Sequence, residues 1–447
     1  MKKRIIITAI LFILISGILY ILNSLAPIIT GYAAKNLASG IFVGNRTQES
    51  IEREDLCFFP IKFNNNQVDY EKKEVMSHFL FWNAKAIYTE GFGCTLVRDF
   101  TEDEIRARAY PTTALPEFNT DTIAWPAGDK IADTIPEGIR MDKLTEALNL
   151  AFVDTVPFKG TFAVAVAYKN QLVAERYRED LSADNLFLSW SMAKSFTNTL
   201  IGILVKQGKI NIDQQVNIPE WDEDQRSEIT LKNLLCMNSG LEWNENYGSN
   251  SDVNRMLFKN GNMALFAQEK PLMANPGTKW YYSSGTTNIV CNYIRDIIGN
   301  DKEYYAFPRR ELFDKTGMRS VIFETDASGT FAGSSYLYAS MRDYIRYGLL
   351  YLNKGNWLGE QILPETWIDY TVTPANGSEG RYGAFFWLNK SREYPDVPED
   401  MYSCRGHDGQ YIIIIPSKEL VIVRTGFSQK GVFDPNLFLK NILAAIE

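Results

Sequence analysis

Ser191 and Lys194 stand three residues apart in the run Ser189-Trp190-Ser191-Met192-Ala193-Lys194-Ser195-Phe196 and form the only S-x-x-K of the chain. On the first turn of a helix such a pair shares one face, with Cβ atoms about 5–6 Å apart, so the amine can reach the hydroxyl. A serine hydroxyl is a weak nucleophile until a base takes its proton. Lysine serves as that base only when neutral, which requires its pKa to fall well below the ordinary value of about 10.4. Burial and the positive end of a helix dipole both push in that direction. The dipole also favours negative charge forming on the serine oxygen. The bland alternative is a capping serine beside a snorkelling lysine.

Two further segments add chemistry. Pro276-Gly277-Thr278-Lys279-Trp280-Tyr281-Tyr282-Ser283-Ser284-Gly285 opens a second apolar helix. A tyrosine at such a turn can pass a proton between nucleophile, lysine and leaving group; otherwise it is a surface aromatic. Arg405-Gly406-His407-Asp408-Gly409-Gln410 leads straight into a β-rich run, Tyr411 to Ile415. Glycine there lets backbone approach a ligand closely. An N–H from this strand edge, paired with that of Ser191, would hold an oxyanion; alternatively the segment is only a strand-initiating turn.

The elements that must position these residues are legible in outline. Met141 to Phe152 places Leu144, Ala147, Leu148 and Ala151 at helical spacing. Thr161 to Tyr177 reads as a hairpin turning at Lys169-Asn170. Ser191 to Gln207 is an apolar helix stopped by Gly208, and residues 230–350 are mostly helical. Two β-rich runs flank Pro416-Ser417-Lys418-Glu419, and a helix over about 435–446 closes the chain. Strands at both ends of the region from 135 onward predict an α+β architecture. One antiparallel sheet is built from both chain ends, the first and last helices share one of its faces, and a mostly helical lobe borders a cleft.

With 447 residues the chain has length for about two or three domains. Lys plus Arg number 46 against 54 for Asp plus Glu, a net charge of −8, and no basic run stands out beyond the start. That speaks against nucleic acid as a partner, since phosphate binding needs clustered cations. Two histidines, His78 and His407, are too few for a histidine-built metal site. No C-x-x-C occurs, so zinc and dithiol redox chemistry have little support. Met1-Lys2-Lys3-Arg4 precedes a charge-free run from Ile5 to Leu22. As a helix this run reaches about 27 Å, close to the roughly 30 Å hydrocarbon core. The basic flank then predicts a membrane anchor with the folded part outside the cytoplasm. A cleaved signal, with Gly31-Tyr32-Ala33 as the cleavage site, is the rival. Five cysteines leave at least one unpaired, and a Cys57–Cys94 bridge is conceivable in an oxidising compartment.

Taken together and in order, S-x-x-K, Tyr-x-Ser and a basic-x-Gly triplet before a strand resemble the penicillin-recognising serine hydrolases. The resemblance is to the class C β-lactamase-like group, nearest the 6-aminohexanoate-dimer hydrolase and esterase type. It extends to Ile229–Leu241 and Ala339–Leu350 and covers roughly 135–447. It implies a β-lactamase/transpeptidase-like fold over 135–447, after an anchor or signal at 1–23 and an accessory extension at 24–134. It also implies Ser191 as the acylated nucleophile, Lys194 as proton acceptor and Tyr282 as the motif tyrosine. Tyr281 is the rival for that last role, and in the Tyr282 frame Ser284 is the polar residue two positions on. His407-Asp408-Gly409 then stands for Lys-Thr-Gly, and Gln410 supplies the second oxyanion N–H. Ser284 replaces the usual asparagine, and His407-Asp408 replaces the pair that grips a substrate carboxylate. The implied substrate is therefore a small neutral or cationic ester or amide, cleaved without metal or organic cofactor. A D,D-carboxypeptidase or β-lactamase, and a non-catalytic sensor or scaffold, are the alternative readings.

Overall fold

The computed structural model describes residues 2–108, 110–111, 119–153, 160–428 and 432–446. Helix α1 spans Lys2–Phe42, well past Leu22. Ile5, Ile10, Phe12, Leu19 and Ile21 in its first half are exposed, whereas Ala26, Ala33, Ala34, Leu37 and Ala38 are buried. These small residues let an antiparallel sheet close onto the helix: β1 Asn65–Asp69, β2 Glu74–Phe79, β3 Trp82–Thr89 and β4 Gly93–Leu96, paired in that order. Val75, Ala84, Ala86 and Cys94 on the sheet share one apolar cluster with this half of α1. Gly31-Tyr32-Ala33 lies within the packed half, and a Cβ on Gly31 would come within 2.4 Å of the Phe258 carbonyl oxygen. The extension is welded to the rest by a buried charge pair. Lys35 pairs with Glu324 and donates to Ser39 Oγ (3.0 Å) and the Cys94 carbonyl (2.7 Å). Glu324 in turn accepts from the Cys94 N–H at 2.6 Å. All five cysteines are free thiols, Cys94 buried and Cys57 exposed.

After α2 (Met141–Ala151) come β5 (Thr161–Tyr168) and β6 (Gln171–Tyr177). A 3-10 turn over Trp190–Met192 leads into α3 (Ala193–Lys206), followed by α4 (Ser284–Ile298) and α5 (Met341–Leu352). The chain returns to the sheet through β7 (Trp387–Leu388), β8 (Tyr402–Gly406), β9 (Gln410–Ile415) and β10 (Leu420–Gly426), and then forms α6 (Pro435–Leu443). The six strands lie in the order β7-β8-β9-β10-β5-β6, each antiparallel to its neighbour. This is the sheet from both chain ends that the strand placement predicts.

Alternation along β5 divides the two faces. Val164, Val166 and Tyr168 pack with α2 and α6 through Leu144, Leu148, Phe438 and Ile442. Ala163, Ala165 and Ala167 face the larger core, which holds α3 and α5. α5 sits close because Gly348 meets β10: a Cβ there would lie 2.4 Å from a Val421 methyl. A strand buried on both faces reads as a continuous apolar run, and every residue of β5 is buried.

Candidate active site

The turn that leads into Ser191 is held from both sides. Ser189 donates its N–H to the Leu337 carbonyl at 2.8 Å, and Trp190 takes the left-handed conformation with φ of 45°. The chain then turns sharply into α3, leaving Ser191 half-buried at its head. Three residues on, the buried Lys194 places Nζ 3.0 Å from Ser191 Oγ. The same nitrogen lies 3.0 Å from Ser284 Oγ and donates to the Ser334 carbonyl at 2.8 Å. Burial pushes the Lys194 pKa down to about 8, while the Glu245 carboxylate and Cys291 pull the other way.

Ser284 opens α4, whose cap is Ser283. Its hydroxyl donates to Glu245 Oε1 at 2.5 Å and its N–H donates to Oε2 at 2.9 Å. The Trp243 indole N–H donates to the same carboxylate. Glu245 was not among the residues singled out from the sequence. Its signal is weak: Trp243, Glu245 and Tyr247 alternate in a loop, so an extended backbone turns all three to one side. Tyr282 is partly buried, and its ring centroid lies 4.9 Å from Lys194 Nζ. Burial lifts the phenol pKa well above its ordinary value, Glu245 adds to the rise, and hydrogen bonding with Ser191 opposes it. Tyr281 is exposed.

The third segment lies differently from the sequence expectation. A Cβ on Gly406 would come within 2.2 Å of the Ser189 carbonyl oxygen, so Gly406 is the glycine pressed against the Ser189–Trp190 turn. Gly409, with φ of 85°, instead makes room for the Arg424 guanidinium. Asn389 N–H donates to the Met401 carbonyl at 3.0 Å, which fixes the parity of β8. Odd-numbered residues turn their N–H toward the β7 side and even-numbered ones toward β9. Gln410 is registered opposite Gly406, so its N–H faces into the sheet. Its side chain is also occupied, bonding the Gly426 carbonyl and N–H at 2.6 and 3.0 Å. The backbone donors on the open edge beyond β7 belong to Arg405 and His407. The His407 ring stacks on Tyr247 (centroids 4.6 Å apart, 17° between planes) and meets Trp190 edge-on at 5.5 Å. Ser191, Lys194, Tyr282 and Ser284 therefore converge, His407 borders them, and Gly409 and Gln410 serve the turn behind.

Arg405 is paired with Glu393 at 2.8 Å and lies over the rings of Trp387 and Tyr394. Among the described residues, no three His, Cys, Asp or Glu side chains gather as metal ligands would.

Residues 158–437 match the family described as Beta-lactamase. A 6-aminohexanoate-dimer hydrolase of Paenarthrobacter ureafaciens is 22% identical over 291 residues, which cover 59% of this chain and 72% of that protein. Among solved structures, a provisionally named 6-aminohexanoate-dimer hydrolase of Bacillus anthracis superposes with a TM-score of 0.55 at 23% identity, covering 67% of this chain and 80% of its own. A class C beta-lactamase gives a TM-score of 0.52 at 15% identity, over 68% of this chain and 96% of its own. The matched span runs from just before β5 into α6 and takes in each element that carries a residue of the cluster, so the chain belongs to the beta-lactamase family of hydrolases.

Proposed function

We propose that this protein is a serine hydrolase that opens an ester or amide through an acyl-enzyme on Ser191. The observation that carries this reading is the set of three partners around Lys194 Nζ. The Ser334 carbonyl can only accept, and Ser284, whose one proton goes to Glu245, also accepts from the amine. A neutral amine has two N–H donors for those partners and one lone pair left, directed at Ser191 Oγ. With a pKa of about 8, about a tenth of the enzyme holds this form at pH 7.

In the first step Ser191 Oγ attacks the carbonyl carbon and its proton passes to Lys194. The leaving group departs with a proton delivered through Lys194 and Tyr282, whose phenol stays protonated at neutral pH. The N–H groups of Ser191 and His407 hold the developing oxyanion. Water then repeats the sequence on the acyl-enzyme. Arg405 is neutralised by Glu393, so nothing beside the site offers a free cation to a substrate carboxylate among the described residues. Neutral acyl substrates fit better than penicillins or peptides ending in a carboxylate. The exposed apolar half of α1 anchors the enzyme in a membrane, uncleaved, because removal after Ala33 would strip the packed helix from the β1–β4 sheet.

The test is a panel of p-nitrophenyl esters, aminohexanoyl amides, D-amino-acid peptides and nitrocefin. Turnover of esters or neutral amides above nitrocefin, lost in Lys194→Ala with the fold intact, is the expected result. Unchanged acylation in Lys194→Ala would put the base elsewhere.

A further inference from the structure

A cavity of about 1000 Å³ lies against the outer side of the Tyr247–His407 stack. Four of its lining residues, Leu25, Ile28, Ile29 and Tyr32, form one face of α1 over two turns, and Phe58, Phe427 and Phe433 complete an apolar wall. Tyr247 and His407 both line the cavity and stand on the side that faces the Ser191 turn. Trp190 touches His407 from the nucleophile's side, and the Tyr247 hydroxyl reaches toward Ser284.

The outer end opens where α1 leaves the body. Leu25 follows Leu22, where the apolar stretch gives way to Asn23 and Ser24, by about 5 Å along the helix axis. Two loops are tied to this point: Trp82 Nε1 donates to Asn23 Oδ1 at 3.1 Å, and Asn250 Nδ2 donates to Ser24 Oγ at 2.6 Å. The same end of the molecule carries Phe59 (76% exposed), Phe63 (59%), Leu80 (66%) and Phe81 (86%). Large apolar side chains gathered in the open mark an interaction surface. Aromatic residues at the exit of an apolar helix sit where a bilayer meets water. A water-soluble acyl group would have no need of an apolar chamber that starts at this collar and ends at the aromatic pair beside the Ser191 turn.

We infer that the substrate is a long-chain acyl ester or amide dissolved in the membrane, taken up at the collar with its acyl chain in this cavity. The inference rests on the serine-hydrolase reading and specifies its substrate. The bond formed is Ser191 Oγ to the acyl carbon. The bond broken is that carbon to the alcohol oxygen or amine nitrogen, which leaves with the proton lost by Ser191. Water releases the fatty acid and returns the proton.

The experiment uses the full chain in phosphatidylcholine vesicles with p-nitrophenyl acetate, butyrate, octanoate and dodecanoate. Burial of each methylene can raise kcat/KM by up to about fourfold, so a steep rise with chain length is expected. Gly248→Trp puts an indole on an exposed lining position whose Cβ meets only the Asn246 side chain. Partition into lipid is common to both proteins, so their octanoate-to-acetate ratios compare the cavity alone; at least a tenfold lower ratio in the variant is expected. A flat profile in the wild type, or equal ratios in the two proteins, overturns the inference while Ser191-dependent acetate hydrolysis keeps the enzyme reading. Absence of hydrolysis of every ester would remove both.

Discussion

Lys194 sits between two opposing influences: burial, which favours the neutral amine, and Glu245, which favours the ammonium. The base works only when deprotonated, so acylation should rise with pH through an inflection near 8 and level off above it. Replacing Glu245 by glutamine removes the influence that raises the lysine pKa. The acid limb of kcat/KM should therefore move to lower pH in Glu245→Gln, while the plateau falls because Ser284 loses its charged acceptor. An inflection that stays in place, followed over pH 5–10, would show that Glu245 does not act on Lys194. The lysine itself was legible from the sequence, because three-residue spacing on a helix is a local property. Glu245 was not, because it reaches the site from a loop whose approach to α4 is a matter of tertiary packing. The tyrosine choice was half-legible: the sequence offers Tyr281 and Tyr282 side by side, and only burial separates them.

At the scale of elements, the close approach of β8 to the Ser189–Trp190 turn is what brings the strand edge to Ser191. Gly406→Ala puts a methyl where the Ser189 carbonyl stands, 2.2 Å away. Overlap of this kind costs about 1–3 kcal/mol, and here it falls on the catalytic turn. Acylation should drop at least a hundredfold, with a loss in urea-unfolding stability no larger than that range. Full activity in this variant would contradict the placement of the strand. The sequence shows two glycines, Gly406 and Gly409, three residues apart, and only Gly409 completes a basic-x-Gly pattern, with His407. Register and strand parity decide between them, and neither is written in composition. The same limit explains Gln410: its position after a glycine suggests an oxyanion donor, whereas the pairing with Gly406 turns its N–H inward. The six-stranded sheet, by contrast, follows from alternation and run length, which survive in the sequence because each face needs its own side chains.

For the molecule as a whole, α1 is both an exposed apolar rod and part of the core. The first role was visible as a charge-free run. The second was hidden, because residues 24–42 bury alanines and glycines whose value lies in what they let approach. Lys35 and Glu324 join the two halves of the chain in a buried pair. Removing one partner of such a pair strands the other charge and costs about 3–5 kcal/mol. Lys35→Met should accordingly lower the urea midpoint markedly, and deletion through residue 42 should prevent folding. Deletion through residue 22 should leave a folded enzyme that no longer partitions into vesicles. A stable Lys35→Met protein would mean that the extension is only loosely attached. The central claim concerns one oxygen atom. Incubation with a fluorophosphonate followed by intact-mass and peptide analysis should give a single adduct on Ser191, formed faster as pH rises through 8 and absent from Ser191→Ala. An adduct that persists in Ser191→Ala, or no adduct on the wild-type protein, would contradict it.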